Sequence, residues 1–255
     1  MNLLMPGELG RDYKSLSQKA RVVTQAWGAS NLYCPNCSSE GLRRSREGER
    51  AQDFVCPQCE LPFELKSQSK PIGDVLRDSG YNAMIRKIQA AETPNLFILH
   101  YTRVDWKAHS LFLIPHFIFS ESAIKKCNPL SATHPRAGHV LCNIVLKNIP
   151  ADARIPVVME GVALPPAKVR ARYKELLPRT KLAIGKPGWP LDVWQVVQSL
   201  GKKTFATSDL YQFERHLREL HPENLHIKDK IRQQLQVLRD RGFLSQVERG
   251  VWAVK

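Results

Sequence analysis

Two CxxC pairs, Cys34-Pro-Asn-Cys37 and Cys56-Pro-Gln-Cys59, lie eighteen residues apart. Each pair presents two thiolates from one tight turn, and four thiolates form the donor set of a tetrahedral zinc ion. The spacing falls in the range of structural zinc sites. With no histidine nearby and no spare protein ligand, the pattern predicts a closed structural site rather than a catalytic one. A disulfide pair would need an oxidising compartment, and a redox CxxC a thioredoxin-like setting. Such a zinc unit ties two distant chain segments into one element, so whatever lies between and just after the pairs is held by it.

Asp53 falls inside this unit, and Glu64 and Lys66 follow it. An Asp…Glu-x-Lys pattern is weak alone, because charged residues produce many by chance. Its context strengthens it. In Phe63-Glu64-Leu65-Lys66, strand alternation puts both charges on one face and the apolar residues on the other. If the second knuckle is a hairpin tip, pairing Cys56 with Leu61 also pairs Asp53 with Glu64. Two carboxylates across a hairpin repel unless a cation sits between them. Hard oxygens of this kind hold Mg²⁺ while leaving positions for water and phosphate. The metal would lower the pKa of a bound water, and Lys66 would orient that water and offset charge developing on phosphate. The competing reading is a solvated, salt-bridged strand face.

The chain carries a formal net charge of +14, which predicts an anionic polymer as partner, since each neutralised phosphate releases counterions. Residues 189–255 hold 11 basic and 8 acidic groups, so the excess is not confined to one tail. A merely soluble basic protein is the bland alternative. No apolar run reaches the roughly 20 residues of a membrane span, and the first residues lack the long apolar region of a signal peptide. Together with the paired cysteines, this predicts a cytoplasmic protein without membrane contact. Cys127 and Cys142 read as small buried apolar residues.

Along the chain, residues 15–27 read as a helix capped by Ser15 or Ser17, with Ala20, Val23 and Trp27 on one stripe. Residues 42–53 are highly charged (Arg43, Arg44, Arg46, Glu47, Glu49, Arg50) and read as a solvated loop. Residues 53–67 read as a hairpin and residues 78–91 as a helix. Residues 95–102 and 111–119 read as central strands covered on both faces. A Pro/Ser/Thr/Gly-rich loop spans 128–138, with strands near 139–146 and 155–159 and a helix after Pro165-Pro166. His100 and His116, inside the apolar strands, read as core hydrogen-bonding residues. This mixture predicts an α/β (α+β) layered domain over 1–180, with a linker at 181–189. Helices at about 190–199, 207–220 and 226–241, the second capped by Thr207, precede strands at about 243–248 and 251–255. That order over 190–255 is that of an α+β winged helix-turn-helix.

In the last helix, Ile227, Ile231, Leu235 and Leu238 face a core. Lys228, Arg232, Gln233, Gln236 and Arg239 fall on other faces, where a major groove can be read. Glutamine matches the N6/N7 edge of adenine, and an N6-methyl group removes one donor from that edge and adds apolar volume. The wing, with Arg249, would touch phosphate or minor groove. A winged helix used for protein contacts is the competing reading.

The segments 13–21 (YKSLSQKAR), 33–37 (YCPNC), 53–59, 63–67 (FELKS), 136–138 (RAG), 142–144 and 226–240 (HIKDKIRQQLQVLRD) resemble the Dpn-type methyl-directed restriction endonucleases of the PD-(D/E)xK nuclease superfamily. The last segment is long and lies in a different domain from the catalytic motif. The resemblance covers nearly the whole chain. It implies a PD-(D/E)xK core with a zinc-binding insertion, an active site of Asp53, Glu64 and Lys66, and cleavage of GATC only where adenine carries an N6-methyl group. Type II cleavage leaving a 5′-phosphate, by a monomer acting on double-stranded DNA, belongs to the same expectation. Arg136 and His139 would contact DNA. Here the chain departs from a relative that carries tryptophan after the Arg-Ala-Gly segment. Imidazole stacks less and covers less area than indole, which puts sequence preference and affinity in question. A zinc- and winged-helix-containing DNA-binding regulator without nuclease activity, and a repair or structure-specific nuclease of the same fold, are the alternatives.

Overall fold

The computed structural model describes residues 1–45, 52–183 and 188–255. Of the charged loop expected at 42–53, Arg46, Glu47, Glu49 and Arg50 lie outside the described residues, as do residues 184–187 of the linker. Two compact units emerge: residues 1–76, 92–116 and 151–177 form one, and residues 77–91, 117–150 and 178–255 the other. Among the described residues no helix is long and apolar enough to cross a membrane.

Among the described residues, the first unit holds a seven-stranded sheet and two α-helices. Its strands are β1 (Arg43–Arg44), β2 (Phe54–Val55), β3 (Pro62–Gln68), β5 (Asn95–Thr102), β6 (Lys107–Ile114), β9 (Ile155–Met159) and β10 (Val162–Ala163), in the order β1-β2-β3-β5-β6-β9-β10. Only β3 and β5 run parallel; Phe63 pairs with Asn95 and Lys66 with Ile98. Residues Asn95 to Leu99 are all buried, as expected of a central strand covered on both faces. Asn95 is fully buried yet satisfied: its amide donates to Pro62 O at 3.3 Å, and its Oδ1 accepts from Tyr173 Oη and the His116 N–H.

Helix α1 (Leu16–Asn31) runs one turn past its expected end and buries Val23 and Trp27 of the predicted stripe, while Ala20 is only half-buried. Ser15 occupies the N-cap position, but its hydroxyl meets Ser17 rather than a backbone N–H. Helix α3 (Pro166–Leu176) opens on Pro166, where a missing N–H costs nothing. The apolar run at 111–119 is not one strand. Pro115 cannot donate to a ladder, so β6 stops at Ile114 and His116–Ile118 turns in a 3-10 helix. His116 therefore sits beyond the strand, while His100 on β5 lies against His109 at 5.0 Å.

In the second unit, β4 (Val75–Gly80), β8 (Val140–Val145) and β7 (Ile124–Pro129) form a sheet of order β4-β8-β7. Residues 78–80 are thus strand rather than the start of a helix, and α2 (Tyr81–Gln89) begins after Gly80. Cys142 is buried, whereas Cys127 is only half-buried. Helix α4 (Thr180–Ala183) occupies residues expected to be linker. The C-terminal elements are α5 (Trp189–Ser199), β11 (Thr204–Ala206), a 3-10 helix at Thr207–Phe213, α6 (Glu214–Leu220), α7 (Ile227–Asp240), β12 (Leu244–Glu248) and β13 (Val251–Val254). Strand β11 pairs with β13, completing a three-stranded wing sheet. Thr207 does not cap a helix. Its hydroxyl donates to Gly250 O at 3.1 Å and accepts from Trp252 Nε1 at 2.9 Å, tying the wing turn to the segment after β11. Gly250 adopts φ 80°, the left-handed conformation the turn requires. Ile227, Ile231, Leu235 and Leu238 are buried with Leu191, Val193, Phe205 and Trp252 in one core.

Candidate active site

The four thiols converge. All four sulfur atoms lie within 4.8 Å of one another, with Cys34 and Cys59 at 3.5 Å and Cys37 and Cys56 at 3.5 Å. Tetrahedral Zn–S bonds of about 2.3 Å place sulfurs about 3.8 Å apart, so this donor set fits one zinc ion. All four cysteines are free rather than disulfide-bonded. Burial raises the Cys56 thiol, but N–H groups of Cys59 and Gln58 aimed at its sulfur outweigh that and bring it down to about 6. Arg170 on α3 clamps the first knuckle: Nε donates to Cys34 O at 3.1 Å and Nη2 to Ser39 O at 3.0 Å. Its guanidinium also lies 5.3 Å from the Tyr33 ring centroid.

The second knuckle is a hairpin tip. Cys56 N–H donates to Leu61 O at 3.0 Å, Val55 pairs with Pro62 and Phe54 with Phe63. At the next residue the ladder departs from this register: Asp53 N–H donates to Phe63 O at 2.8 Å, the residue already paired with Phe54, so the expected pairing of Asp53 with Glu64 is not kept. Strand β2 is only two residues long and ends there, which leaves the next edge N–H of β3, that of Leu65, without a strand partner. Asp53 Oδ2 accepts that N–H at 2.8 Å, so the carboxylate replaces a missing strand. Gln25 of α1 donates to Asp53 Oδ1 at 2.9 Å and accepts from Arg44 Nη2 at 3.0 Å. Asp53 is thus held from β3 on one side and α1 on the other.

Helix α1 approaches the hairpin closely at Gly28, where a Cβ would fall 2.8 Å from Phe54 Cζ and 3.2 Å from Leu65 Cδ2. Phe63 is buried and stacks on Phe97 at 5.7 Å. On the alternate positions, Lys66 Nζ meets Glu64 Oε1 at 2.9 Å, with both side chains largely covered. Asp53, Glu64 and Lys66 are therefore brought to one hairpin: one carboxylate just before β2, one on β3, and an ammonium already bound to the second. Each Asp53 oxygen accepts one described hydrogen bond and keeps a lone pair, and hard oxygens of this kind suit Mg²⁺.

The remaining candidates lie in the second unit. Lys228, Arg232, Gln233, Gln236 and Arg239 are all exposed on α7. Lys228 lies 3.6 Å from Glu214 Oε2 and over the Tyr211 ring, and Arg232 bonds Asp229 and, at 3.0 Å, Tyr211 Oη. Lys230 donates to Gln233 Oε1 at 2.8 Å, and Arg239 pairs with Asp240. Arg136 and His139 sit on the loop between β7 and β8, which closes through Leu130 N–H to His139 O at 2.9 Å and Gly138 N–H to Leu130 O at 3.0 Å. The His139 imidazole packs against Gly80, where a Cβ would lie 3.2 Å from its Cε1. Sequence reasoning missed Gln25, Arg170 and Tyr211. No local pattern marks them, because each acts on an element far away in the chain.

Comparison with known families agrees with this organisation. Residues 1–180 match the family model described as the Dam-replacing family, and residues 185–253 match that of the Dam-replacing HTH domain. The first spans the four-cysteine cluster and the hairpin with its carboxylates, and the second the whole helix-turn-helix unit with its wing. The chain therefore belongs to the Dam-replacing family, which implies a restriction endonuclease that carries a DNA-binding helix-turn-helix domain at its C-terminal end.

Proposed function

We propose that this chain is a methylation-dependent type II restriction endonuclease that hydrolyses double-stranded DNA at GATC sites carrying N6-methyladenine. The observation that carries the reading is the gathering of Asp53, Glu64 and Lys66 on a hairpin whose tip is one of the two cysteine knuckles. It is the constellation of a PD-(D/E)xK nuclease, in a family member with its own DNA-reading domain. Residues 1–180 are the nuclease domain, 190–255 the winged-helix domain, and 181–189 connect them. The protein works in the cytoplasm as a monomer.

Asp53 and Glu64 would hold Mg²⁺, which when bound supplies Lewis acidity toward the phosphate and a water of lowered pKa. The other groups act directly. Leu65 N–H and Gln25 hold the Asp53 carboxylate in one orientation, so little reorganisation is needed when charge develops. Lys66 screens Glu64 in the resting site and offsets negative charge on the phosphate during attack. Zinc on Cys34, Cys37, Cys56 and Cys59 is scaffold. Arg136, His139, Lys228, Arg232, Gln233, Gln236 and Arg239 contact DNA, the glutamines addressing the adenine edge. The imidazole of His139 offers a smaller stacking surface than indole, and so a weaker base wedge.

The test is Mg²⁺-dependent digestion of one plasmid prepared with and without adenine methylation. Cutting of the methylated form alone supports the reading. Equal cutting of both would sink the methyl-directed part. Absence of strand breaks, with tight DNA binding unaffected by Lys66→Ala, would mark a regulator.

A further inference from the structure

A second polar cluster lies apart from the hairpin, in the unit that carries the winged helix. Its centre is Asp192 on α5, which is 1% exposed. Three side chains reach it: Ser122 Oγ at 2.9 Å and Ser120 Oγ at 3.5 Å on Oδ1, and His221 Nε2 at 2.8 Å on Oδ2. Ser, Asp and His invite comparison with a nucleophilic triad, but the order is wrong. The carboxylate here stands between hydroxyl and imidazole, so the imidazole has no serine proton to take.

The cluster is better understood by what its ends belong to. Ser120 precedes and Ser122 lies within the 3-10 turn Glu121–Ala123 that leads into β7, and Ser122 O is itself held by Asn148 Nδ2 at 2.7 Å. Strand β7 opens the hairpin whose loop bears Arg136 and His139. On the other side, His221 ends α6 and stacks on Trp189 at 3.8 Å with rings 13° from parallel. Lys230 of α7 lies 5.7 Å from the Trp189 ring centroid and donates to Gln233. A continuous line of contacts thus runs from the turn before β7, through Asp192, to the face of the candidate recognition helix. Burying a carboxylate is costly unless its oxygens are satisfied, and here both are.

We infer that Asp192 is a positioning residue that latches the winged helix to the β7–β8 hairpin, so that α7 and the Arg136–His139 loop meet DNA as one preset surface. The inference rests on the functional reading above, which has both elements facing DNA. A preset surface avoids the entropy of aligning two reading elements on the duplex, and two linked sites gain from high effective concentration. Loosening the latch leaves each element intact and its contacts available, but unaligned.

The experiment uses the full-length, zinc-loaded protein and three variants: Asp192→Ala, Asp192→Asn and Ser122→Ala. Asparagine keeps an acceptor for Ser122 and a side-chain amide facing the His221 ring, so it serves as the conservative rescue. Calorimetric melting and small-angle scattering report the latch without any DNA. The expected result is that Asp192→Ala melts in two transitions and has a larger radius of gyration, with Ser122→Ala shifted the same way to a smaller extent and Asp192→Asn close to wild type. Affinity for a methylated duplex, measured in Ca²⁺ to prevent cutting, should then fall about tenfold in Asp192→Ala, with kcat at saturating DNA little changed. A single transition with wild-type dimensions in both Asp192→Ala and Ser122→Ala would overturn the latch. So would loosened variants that bind and cut as wild type does. If wild type itself ignores methylation, the functional reading fails while the melting and scattering results still judge the latch.

Discussion

The cysteine-tipped hairpin and the winged helix solve the same problem by different means. The winged helix orders its chain around a continuous apolar core, with Ile231, Leu235, Leu238, Leu244 and Trp252 closed over one another. The hairpin has little such core. Its strands β1 and β2 are two residues each, and its buried apolar groups are few: Leu42, Phe54, Val55 and Phe63. Elements this short do not hold themselves in water. Four thiolates, the Arg170 clamp and the close approach of α1 at Gly28 substitute for the missing core. On the proposed function, chemistry would rest on an all-or-none scaffold and recognition on one that can lose contacts by degrees.

The sharpest way to break that contrast is to remove a zinc ligand. In Cys56→Ser, zinc content should fall to zero and cutting should vanish, since such metal binding contributes roughly 10–16 kcal/mol in zinc-finger peptides. Hydrogen exchange would show amides of residues 52–68 unprotected while those of α7 stay protected. Retained protection in the hairpin would mean that the core, not the metal, holds it.

On the other side, Leu235→Ala should cost about 2–5 kcal/mol in denaturant unfolding of the winged helix, leaving bound zinc at wild-type stoichiometry. A loss of zinc would show the two regions to be one cooperative unit. Lys66→Ala separates chemistry from scaffold within the hairpin. Its single-turnover cleavage should drop about 10²–10³-fold, with zinc content and melting temperature unmoved. Gly28→Ala sharpens the role of α1: overpacking against Phe54 should cost about 1–3 kcal/mol, offset by about 1 kcal/mol of helix propensity. A stabilised protein would mean that α1 does not clamp the hairpin. The smallest effect is expected at the DNA surface, where Lys228→Ala should reduce the salt slope of binding by about 1. An unchanged slope would take Lys228 off the phosphate backbone.

The two regions also differed in how legible they were. The register of β2 on β3 follows from the knuckle, because a tip closed between Cys56 and Leu61 pairs Val55 with Pro62 and Phe54 with Phe63; the irregular step at Asp53, whose N–H also turns to Phe63 O, does not. The winged helix was legible through periodicity, since Ile227, Ile231, Leu235 and Leu238 mark one buried stripe. Strands β5 and β9 were read with their observed bounds because each is a short apolar run. Of the small sheet only β8 was legible, as the strand expected near 139–146. β4 (VLRDSG) and β7 (IKKCNP) carry charges and a proline where an alternating pattern would be needed, and β7 was missed altogether. Within the site, Gln25 and Arg170 were unreadable for a different reason. Each is an ordinary polar residue on a helix, and only the tertiary fold brings it to Asp53 or to the first knuckle.

The parallel pairing of β3 with β5 has a consequence for handling this protein. Strand β5 carries Leu96, Phe97, Ile98 and Leu99 in an unbroken run, and β3 is the strand that covers one of its edges. If the hairpin comes apart, that edge becomes a row of open N–H and C=O groups beside four large apolar side chains. Such an edge recruits strands from other molecules. Chelated protein should accordingly grow turbid, faster at higher concentration, before it shows any gross loss of helix. A zinc ion in the four-cysteine site would guard colloidal stability, and a preparation stripped of it should be found in the pellet.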